Sequence, residues 1–235
     1  MIDGGFFLKR YNSLYNRSHR KTPQKVADDV YRLAHYHVGN ENYLYRIFYY
    51  DCHPLEKRIH NPITNRCVNL GTSPEALFKT NFIEALKKKR KVALRLGVLK
   101  TKNWLFKPEV VKDIISGNKD MNTLIEDDVY YEIRQKGIDM KIGVDITALA
   151  IKGFVDKIVL ISGDSDFVPA AKMARREGID FVLDPMYANH IDNSLFEHID
   201  GLQSYSLNIR RTSTVTTSTN STTIASSPSD GTIQE

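Results

Sequence analysis

The chain has 235 residues, of which 41% are hydrophobic, and it carries a formal net charge of +5. This length can bury one substantial α/β core, so a single folded domain is the default prediction. No apolar run is long enough to cross a bilayer, and no basic segment followed by an apolar one opens the chain. We therefore expect no membrane span and no signal peptide, and predict a cytoplasmic protein.

The first half of the chain predicts two helices and several strands. A helix begins at Pro23 with Thr22 as its N-cap, and a second begins at Pro74 with Ser73 as its N-cap. Between them lies a β-branched and aromatic segment that predicts a buried strand ending at Asp51. After the second helix, the segments KVALRLGVLK and NWLFK predict two strands, for which a hairpin is one arrangement.

The second half alternates helices and strands. A weaker helical region is predicted over 108–128, and a helix begins at about Asp139. The helix is core-facing because its apolar residues share one face, namely Ile142, Ile146, Leu149, Ala150 and Phe154. KIVLIS predicts a strand, DFVPAAKMARREG a helix closed by Gly178, and IDFVLD a further strand. This alternation is typical of an α/β fold with a mostly parallel sheet covered by helices on both faces.

The C-terminal segment 212–235 differs from the rest in composition. It is mostly Ser and Thr, has no apolar periodicity, and contains only two charged residues, Asp230 and Glu235. We predict a disordered tail after a folded domain at 1–211. Because both charges in the tail are negative, the folded part carries +7, an excess that favours a polyanionic partner.

Several aspartates stand where predicted parallel strands end. In open parallel sheets the ligand crevice lies beyond the carboxyl ends of the strands, and Asp3 and Asp164 both follow a strand. Asp166 stands beside Asp164, and a right-handed crossover could bring Asp145 to the same edge. Each also has a structural interpretation, since Asp164 or Asp166 could cap the following helix and Asp139 its own helix. Several carboxylates at one edge repel each other, which favours a bound cation such as Mg²⁺ or Mn²⁺.

Two cysteines are too few for a disulfide framework, which agrees with a reducing compartment. They lie near two histidines, and the four side chains, Cys52, His53, His60 and Cys67, could nominally bind zinc. Their spacing matches no common zinc pattern, so an ordinary loop is the favoured interpretation.

Four short motifs in chain order carry a resemblance to a known family. They are Asp3-Gly4-Gly5-Phe6, Tyr49-Tyr50-Asp51, Lys136-Gly137-Ile138-Asp139 with Asp145 following, and Ser162-Gly163-Asp164-Ser165-Asp166-Phe167. With them the chain resembles an NYN domain of the LabA-like type, a family related to PIN-domain nucleases. The resemblance extends from Asp3 to about Ser206.

This resemblance implies a PIN-like three-layer sandwich and metal-dependent cleavage of RNA. The family's acidic centre maps onto Asp3, Asp145 and Asp164, with Asp166 beside them and Asp139 as a further metal ligand. Such a centre would use Mg²⁺ or Mn²⁺ to activate water and to offset charge on the scissile phosphate. The implied activity is that of an endoribonuclease with RNA as its partner.

The basic residues divide into two groups. Lys136 and Lys141 stand beside the acidic centre and are predicted to contact RNA phosphates. The run from Lys87 to Lys91 is more typical of a solvated helix end than of a binding site. Trp104 could stack on a base, although a single Trp on a strand is more often packed.

Two other functions compete with the nuclease. One is an RNA-binding or regulatory adaptor that keeps the fold with little or no turnover. The other is a phosphatase, which is disfavoured because no second aspartate stands two residues after Asp3. The sequence leaves the oligomeric state open, a homodimer being one option.

The first predicted strand is unusually short. Only Met1 and Ile2 precede Asp3, whereas a strand commonly has about five residues. Either this strand is truncated or the natural start lies upstream.

Overall fold

The computed structural model describes residues 1–15 and 22–207. Its centre is a seven-stranded sheet with the order β6-β5-β2-β1-β7-β8-β9, beside a separate two-stranded sheet of β3 and β4. The strands are β1 Ile2–Asp3, β2 Ile47–Cys52, β3 Arg58–His60, β4 Cys67–Asn69, β5 Val92–Phe106, β6 Val129–Lys136, β7 Lys157–Ile161, β8 Asp180–Asp184 and β9 Gly201–Leu202. Within the large sheet all neighbours are parallel except β5 and β6. The predicted mostly parallel sheet is confirmed.

Helices cover both faces of this sheet. They are α1 Gly4–Tyr15, α2 Pro23–Val38, α3 Pro74–Lys87, α4 Pro108–Ile115, α5 Ile138–Ile151, α6 Val168–Arg176 and α7 Asn193–Phe196. One core packs α1, α2 and α3 against the sheet, and the other packs α5, α6 and α7 against its opposite face. This arrangement confirms the predicted PIN-like three-layer sandwich.

The two predicted helix starts are confirmed. The Thr22 hydroxyl accepts a hydrogen bond from the Lys25 N–H at 3.2 Å, and the Ser73 hydroxyl accepts one from the Ala76 N–H at 3.1 Å. Proline in the first turn suits both helices because an N–H group there has no intrahelical acceptor. These starts follow from local chemistry and are therefore legible in the sequence.

Helix α1 was not predicted. It follows β1 without a linker, and its first two residues are Gly4 and Gly5, which are poor helix formers. Its start is stabilised by Asp3, whose Oδ1 accepts a hydrogen bond from the Phe6 N–H at 3.1 Å. A residue at the end of a strand thus also acts as a helix cap.

The predicted hairpin of two strands near residue 100 is wrong. The two segments form one strand, β5, with an irregularity between Thr101 and Trp104. Its antiparallel partner is β6, which follows α4 and two short 3-10 turns. Since β2 ends opposite Gly97, the rest of β5 projects with β6 beyond the carboxyl edge of the parallel strands.

Two further expectations from the sequence need correction. Of the weak helical region predicted over 108–128, only Pro108–Ile115 is an α-helix. Phe154 lies beyond the end of α5 and is 54% exposed, so it is not part of the core face of that helix. A Gly153 with a φ of 59° ends the helical backbone before it.

Some predictions concern residues that lie outside this description. They are the disordered tail at 212–235 and the last residues of the predicted domain, 208–211. Within residues 1–15 and 22–207, no helix combines the length and the apolar character that crossing a bilayer requires.

The junction of β1 and α1 yields a test of packing. A Cβ atom on Gly4 would lie 2.6 Å from the main-chain oxygen of Tyr50, whereas a Cβ on Gly5 would have its nearest neighbour at 3.5 Å. We expect Gly4→Ala to lower the free energy of unfolding by about 1–3 kcal/mol through overpacking. Gly5→Ala should raise it by up to about 1 kcal/mol through helix propensity. Chemical denaturation of both variants checks this, and equal effects would contradict the packing at Gly4.

Candidate active site

The predicted acidic residues gather at the carboxyl edge of the parallel strands. Asp3 ends β1, Asp164 and Asp166 follow β7, and Asp139 lies in the first turn of α5. Strands β1 and β7 are paired neighbours in the middle of the sheet. The edge between them is where an open parallel sheet usually binds its ligand.

Asp3 is the most firmly held of these carboxylates. Besides the bond from Phe6, its Oδ2 accepts a long hydrogen bond from the buried Ser162 hydroxyl at 3.4 Å. Burial raises the pKa of Asp3 above its ordinary value, the Phe6 N–H opposes the rise, and the charge of Asp139 adds to it. Its orientation is thus set by the main chain, and its charge is electrostatically unfavourable.

The charge of Asp139 interacts with the charges of the other three carboxylates at this edge. Burial raises the pKa of Asp139, and the charges of Asp164 and Asp166 raise it further. Since Asp139 also raises the pKa of Asp3, its carboxylate interacts with all three of the others. We call Asp3, Asp139, Asp164 and Asp166 the acidic cluster.

The capping interpretation is confirmed for Asp164 and wrong for Asp139. Asp164 Oδ1 accepts a hydrogen bond from the Asp166 N–H at 3.0 Å and caps the 3-10 turn Ser165–Phe167. Helix α5 has Gly137 as its N-cap, in a left-handed conformation with a φ of 81°. Glycine suits that turn because it has no Cβ to clash. Asp139 is therefore not the cap of α5. Its charge interacts with those of Asp164 and Asp166.

Asp145 has a different environment. Its Oδ2 accepts hydrogen bonds from the Tyr50 hydroxyl and from Arg95 Nε, both at 2.9 Å. It lies six residues after Asp139, or about 1.7 turns further along α5. The Arg95 guanidinium offsets its charge, and no interaction found in the described residues links it to the acidic cluster. The predicted role of Asp145 as a metal ligand stays a prediction.

One buried carboxylate at this edge was not singled out as a functional residue. Asp51, at the carboxyl end of β2, is fully buried and forms an ion pair with Lys79 Nζ at 2.5 Å. It also accepts hydrogen bonds from the Cys52 N–H at 2.7 Å and from Gln135 Nε2 at 3.3 Å. The sequence signal was its position at the end of a predicted buried strand. Lys79 balances its charge, so Asp51 supports the edge without adding to the repulsion.

The basic residues lie at two different edges. Lys136 ends β6 and Lys141 is in the first turn of α5, and both are exposed near Asp139 along the chain. The basic run Lys87–Lys91 ends α3 and precedes the first residue of β5, so it lies at the opposite, amino edge of the sheet. Trp104 packs edge-on against Tyr131 with ring centroids 5.5 Å apart, which supports the packed interpretation.

The zinc interpretation is wrong. Cys52 is buried in the core under α5, whereas Cys67 is exposed on the separate two-stranded sheet. Across residues 1–15 and 22–207, no three His, Cys, Asp or Glu side chains converge closely enough to hold a metal. This also applies to the acidic cluster, whose carboxylates are neighbours without forming a preassembled coordination site.

The fold is that of a PIN-like protein, and NYN domains belong to the PIN-like nuclease superfamily. The family model of the NYN domain matches residues 82–200, more than half of the chain. The chain therefore belongs to the NYN domain family. The matched region contains Asp139, Asp145, Asp164 and Asp166.

The comparison with solved structures gives one match at low similarity. It is a protein of unknown function from Vibrio parahaemolyticus, with 12% identity, a TM-score of 0.42, and coverage of 87% of this chain and 90% of that one. A likeness at this level supports no conclusion about function. Curated proteins include no match to the chain.

The different environments of Asp139 and Asp145 predict opposite effects of the same substitution. The pKa of Asp139 is raised in the folded state, so its ionised form destabilises the fold at neutral pH. Asp139→Asn should then raise the free energy of unfolding by roughly 0.2–1 kcal/mol, since exposed charges are screened. Asp145→Asn, which loses its ion pair with Arg95, should lower it by about 0.5–1.5 kcal/mol.

The gain in Asp139→Asn should depend on pH. It should be complete above the raised pKa and disappear as pH falls below the ordinary aspartate value of about 3.9, where the wild-type side chain is protonated in both states. Denaturant titrations at several pH values check this. A loss of stability in Asp139→Asn at neutral pH would show that its carboxylate makes favourable contacts.

Proposed function

We propose that this chain is a Mg²⁺- or Mn²⁺-dependent ribonuclease of the LabA-like branch that hydrolyses phosphodiester bonds within RNA in the cytoplasm. The observation that carries the proposal is the acidic cluster, in which Asp139 repels three other carboxylates at the carboxyl edge. Membership of the NYN family agrees with this chemistry.

The charge of the acidic cluster supports a cation site. The fold neutralises other aspartates nearby, Asp51 with Lys79 and Asp145 with Arg95, but leaves the cluster without a cationic side chain among its described ion pairs. Unbalanced carboxylates are costly unless a cation or bound protons offset them.

The donor chemistry of the cluster also fits. Carboxylate oxygens are the ligands that Mg²⁺ and Mn²⁺ prefer, and both ions keep several waters, so few protein ligands suffice. Asp3, Asp139, Asp164 and Asp166 would hold the ion, with side chains at the exposed edge adjusting around the fixed Asp3. When bound, such an ion offsets negative charge on phosphate and increases the acidity of water.

The chain's own residues have distinct roles in this mechanism. Asp3 provides the rigid oxygen, because the Phe6 N–H and the Ser162 hydroxyl hold its two oxygens. Asp139 would be a further ligand of the ion, and it lies in the first turn of α5, where its charge interacts with those of Asp164 and Asp166. Lys136 and Lys141 flank Asp139 in sequence and would hold the RNA backbone by its phosphates.

A second candidate function is an RNA-binding or regulatory adaptor with little turnover. The observation that favours it is the absence, within the described residues, of any preassembled metal-binding group. The ion pair between Asp145 and Arg95 also supports it, because the charge of this predicted ligand is already offset by a side chain of the protein. In an adaptor the lysines would still bind RNA while the carboxylates would not be needed.

Asp164→Asn separates the two functions. In a ribonuclease it should reduce Mn²⁺-dependent cleavage of labelled single-stranded RNA by about a hundredfold or more. RNA affinity in EDTA should hold or increase, because a negative charge near phosphate is removed. Asn retains the oxygen that caps the following turn, so the fold should persist.

A suitable control for this test is Asp180→Asn. Asp180 begins β8 at the amino edge and pairs with Lys157, far from the acidic cluster along the strands. It should leave both cleavage and binding unchanged. Cleavage that survives Asp164→Asn would remove Asp164 from the catalytic centre, and the absence of cleavage in wild type would favour the adaptor.

The position of the lysines predicts how RNA affinity depends on salt. Removing Lys136 and Lys141 together should weaken RNA binding several-fold and reduce the slope of log affinity against log salt by roughly one per lost phosphate contact. Lys88→Ala, at the opposite edge of the sheet, should change neither quantity. Equal losses in both variants would indicate diffuse electrostatic attraction instead of defined contacts.

A further inference from the structure

One edge of the large sheet is a long strand with a free side. The sheet order places β6 at one end and β9 at the other, and β9 has only two residues. Strand β6 has eight, Val129–Lys136, and no hydrogen bond between main-chain groups links 129–135 to any described element except β5. An open edge of this length is a template for pairing with another strand.

The free side of β6 is accessible. Residues 133–136 are exposed, and the apolar side chains on β6 include two that are partly in solvent, Tyr130 at 41% and Ile133 at 39% exposure. Strand β6 pairs only with the part of β5 that projects beyond the end of β2. A further strand can therefore join this edge without displacing the parallel strands.

Two opposite charges flank Ile133 on β6. Glu132 and Arg134 are two residues apart, so they share a face of the strand, and they form an ion pair at 2.5 Å. The Glu132 carboxylate also lies 3.9 Å from Lys102 Nζ on β5, and its side chain is only 12% exposed. The order of charge along β6 is thus negative before Ile133 and positive after it.

This order selects one way for β6 to pair with a second copy of itself. In a two-fold antiparallel pairing, residues whose main-chain groups point the same way face each other, so the pairing is centred on one residue. Centred on Ile133, the pairing places Glu132 opposite the partner's Arg134, once on each side of the axis. Centred on Glu132 or on Arg134, it places that residue opposite its own copy. Both alternatives bring like charges together, which is unfavourable.

We propose that β6 pairs antiparallel with β6 of a second copy of this chain, centred on Ile133, so that the two large sheets join into one. The pairing covers 130–136 of each copy and gives hydrogen-bond partners to the main-chain groups on the free side of β6. Besides the two pairs of Glu132 with Arg134, it contains no like charges. The other facing residues are Tyr130 with Lys136, Tyr131 with Gln135, and Ile133 with its own copy.

A second copy suits this edge better than RNA does. Cations are in excess there, since Lys100 on β5 faces Arg134 and Lys102 lies near Glu132. RNA phosphates would meet these cations, but they would also meet the Glu132 carboxylate between them. A sugar-phosphate backbone also lacks the alternating donors and acceptors that an open strand requires. A strand with the same charges in reverse order provides both.

The symmetry of this dimer keeps the two acidic clusters apart. The two-fold axis is perpendicular to the joined sheet, so like faces of the two copies lie on the same side. The carboxyl edges of the two copies then point in opposite directions. Each copy keeps its own acidic cluster at a free edge, and dimerisation does not depend on the proposed nuclease activity.

The first experiment tests the pairing of charges. Sedimentation equilibrium of the full chain should show a dimer with a dissociation constant in the micromolar range, roughly 1–50 μM, because the pairing is short compared with a standard interface. Glu132→Arg and Arg134→Glu should each weaken the dimer by about tenfold or more, because each places like charges opposite each other on both sides of the axis.

A mixture of the two single variants is the matched control. When a Glu132→Arg chain pairs with an Arg134→Glu chain, every arginine at these positions faces a glutamate again. The dimer should therefore return in an equimolar mixture, which also shows that both variants are folded. Single variants that dimerise as strongly as the wild type would overturn the register.

The second experiment tests the centre of the pairing with cysteines. Both variants carry Cys67→Ser, which removes the exposed native thiol. Ile133→Cys places two thiols on the axis, with Cα atoms about 4.5–5.5 Å apart, and should form an intermolecular disulfide on mild oxidation. Gln135→Cys places its two thiols four residues apart along the strands, or about 13 Å, and should not.

The remaining outcomes decide against the proposal. It is overturned if the wild-type chain stays monomeric up to about 100 μM, or if the two cysteine variants cross-link equally. A monomer whose RNA affinity falls in Arg134→Glu would identify RNA as the partner of this edge, and would overturn the second copy in the same way. None of these measurements requires cleavage of RNA.

Discussion

The structure depends on the two-residue strand β1 at the centre of the sheet. Ile2 and Asp3 are the only residues of β1, yet they pair with β2 on one side and β7 on the other, joining the two halves of the sheet. The chain then turns directly into α1, whose first residue is Gly4. Only glycine fits there, because a Cβ atom would lie 2.6 Å from the main-chain oxygen of Tyr50. Because α1 follows β1 without a linker, Asp3 is held both as a strand residue and as a helix cap.

The direct passage from β1 into α1 also positions the acidic residues. Asp3 ends β1 beside the loop that follows β7, and the charge of Asp139 contributes to its raised pKa. The candidate catalytic site therefore depends on the pairing of β1 with β7.

The aspartates at the carboxyl edge differ in how their charge is balanced. Asp51 forms an ion pair with Lys79, and Asp145 forms one with Arg95. In both pairs the negative charge is offset by a side chain of the protein. Burial raises the pKa of Asp3 and of Asp139, and repulsion adds to it, from Asp139 on Asp3 and from Asp164 and Asp166 on Asp139. Perturbed pKa values of this kind are found more often at functional sites than elsewhere in proteins.

Local features were determined by the sequence itself. The caps at Thr22 and Ser73, the buried strand before Asp51 and the apolar face of α5 each depend on residues a few positions apart. Alternation of these elements was enough to predict a mostly parallel sheet with helices on both faces. The position of Asp3 and Asp164 at the carboxyl edge followed from the same alternation.

The tertiary structure decided which side chains meet. Spacing along α5 could not tell that Asp139 faces Asp164 while Asp145 faces Arg95, because Arg95 comes from a strand 50 residues away. Nor could it show that NWLFK continues β5, since the partner strand β6 lies beyond α4. The buried ion pair of Asp51 with Lys79 likewise arises only when β2 and α3 pack together. Contacts of this kind depend on crossovers and register, which short-range patterns do not encode.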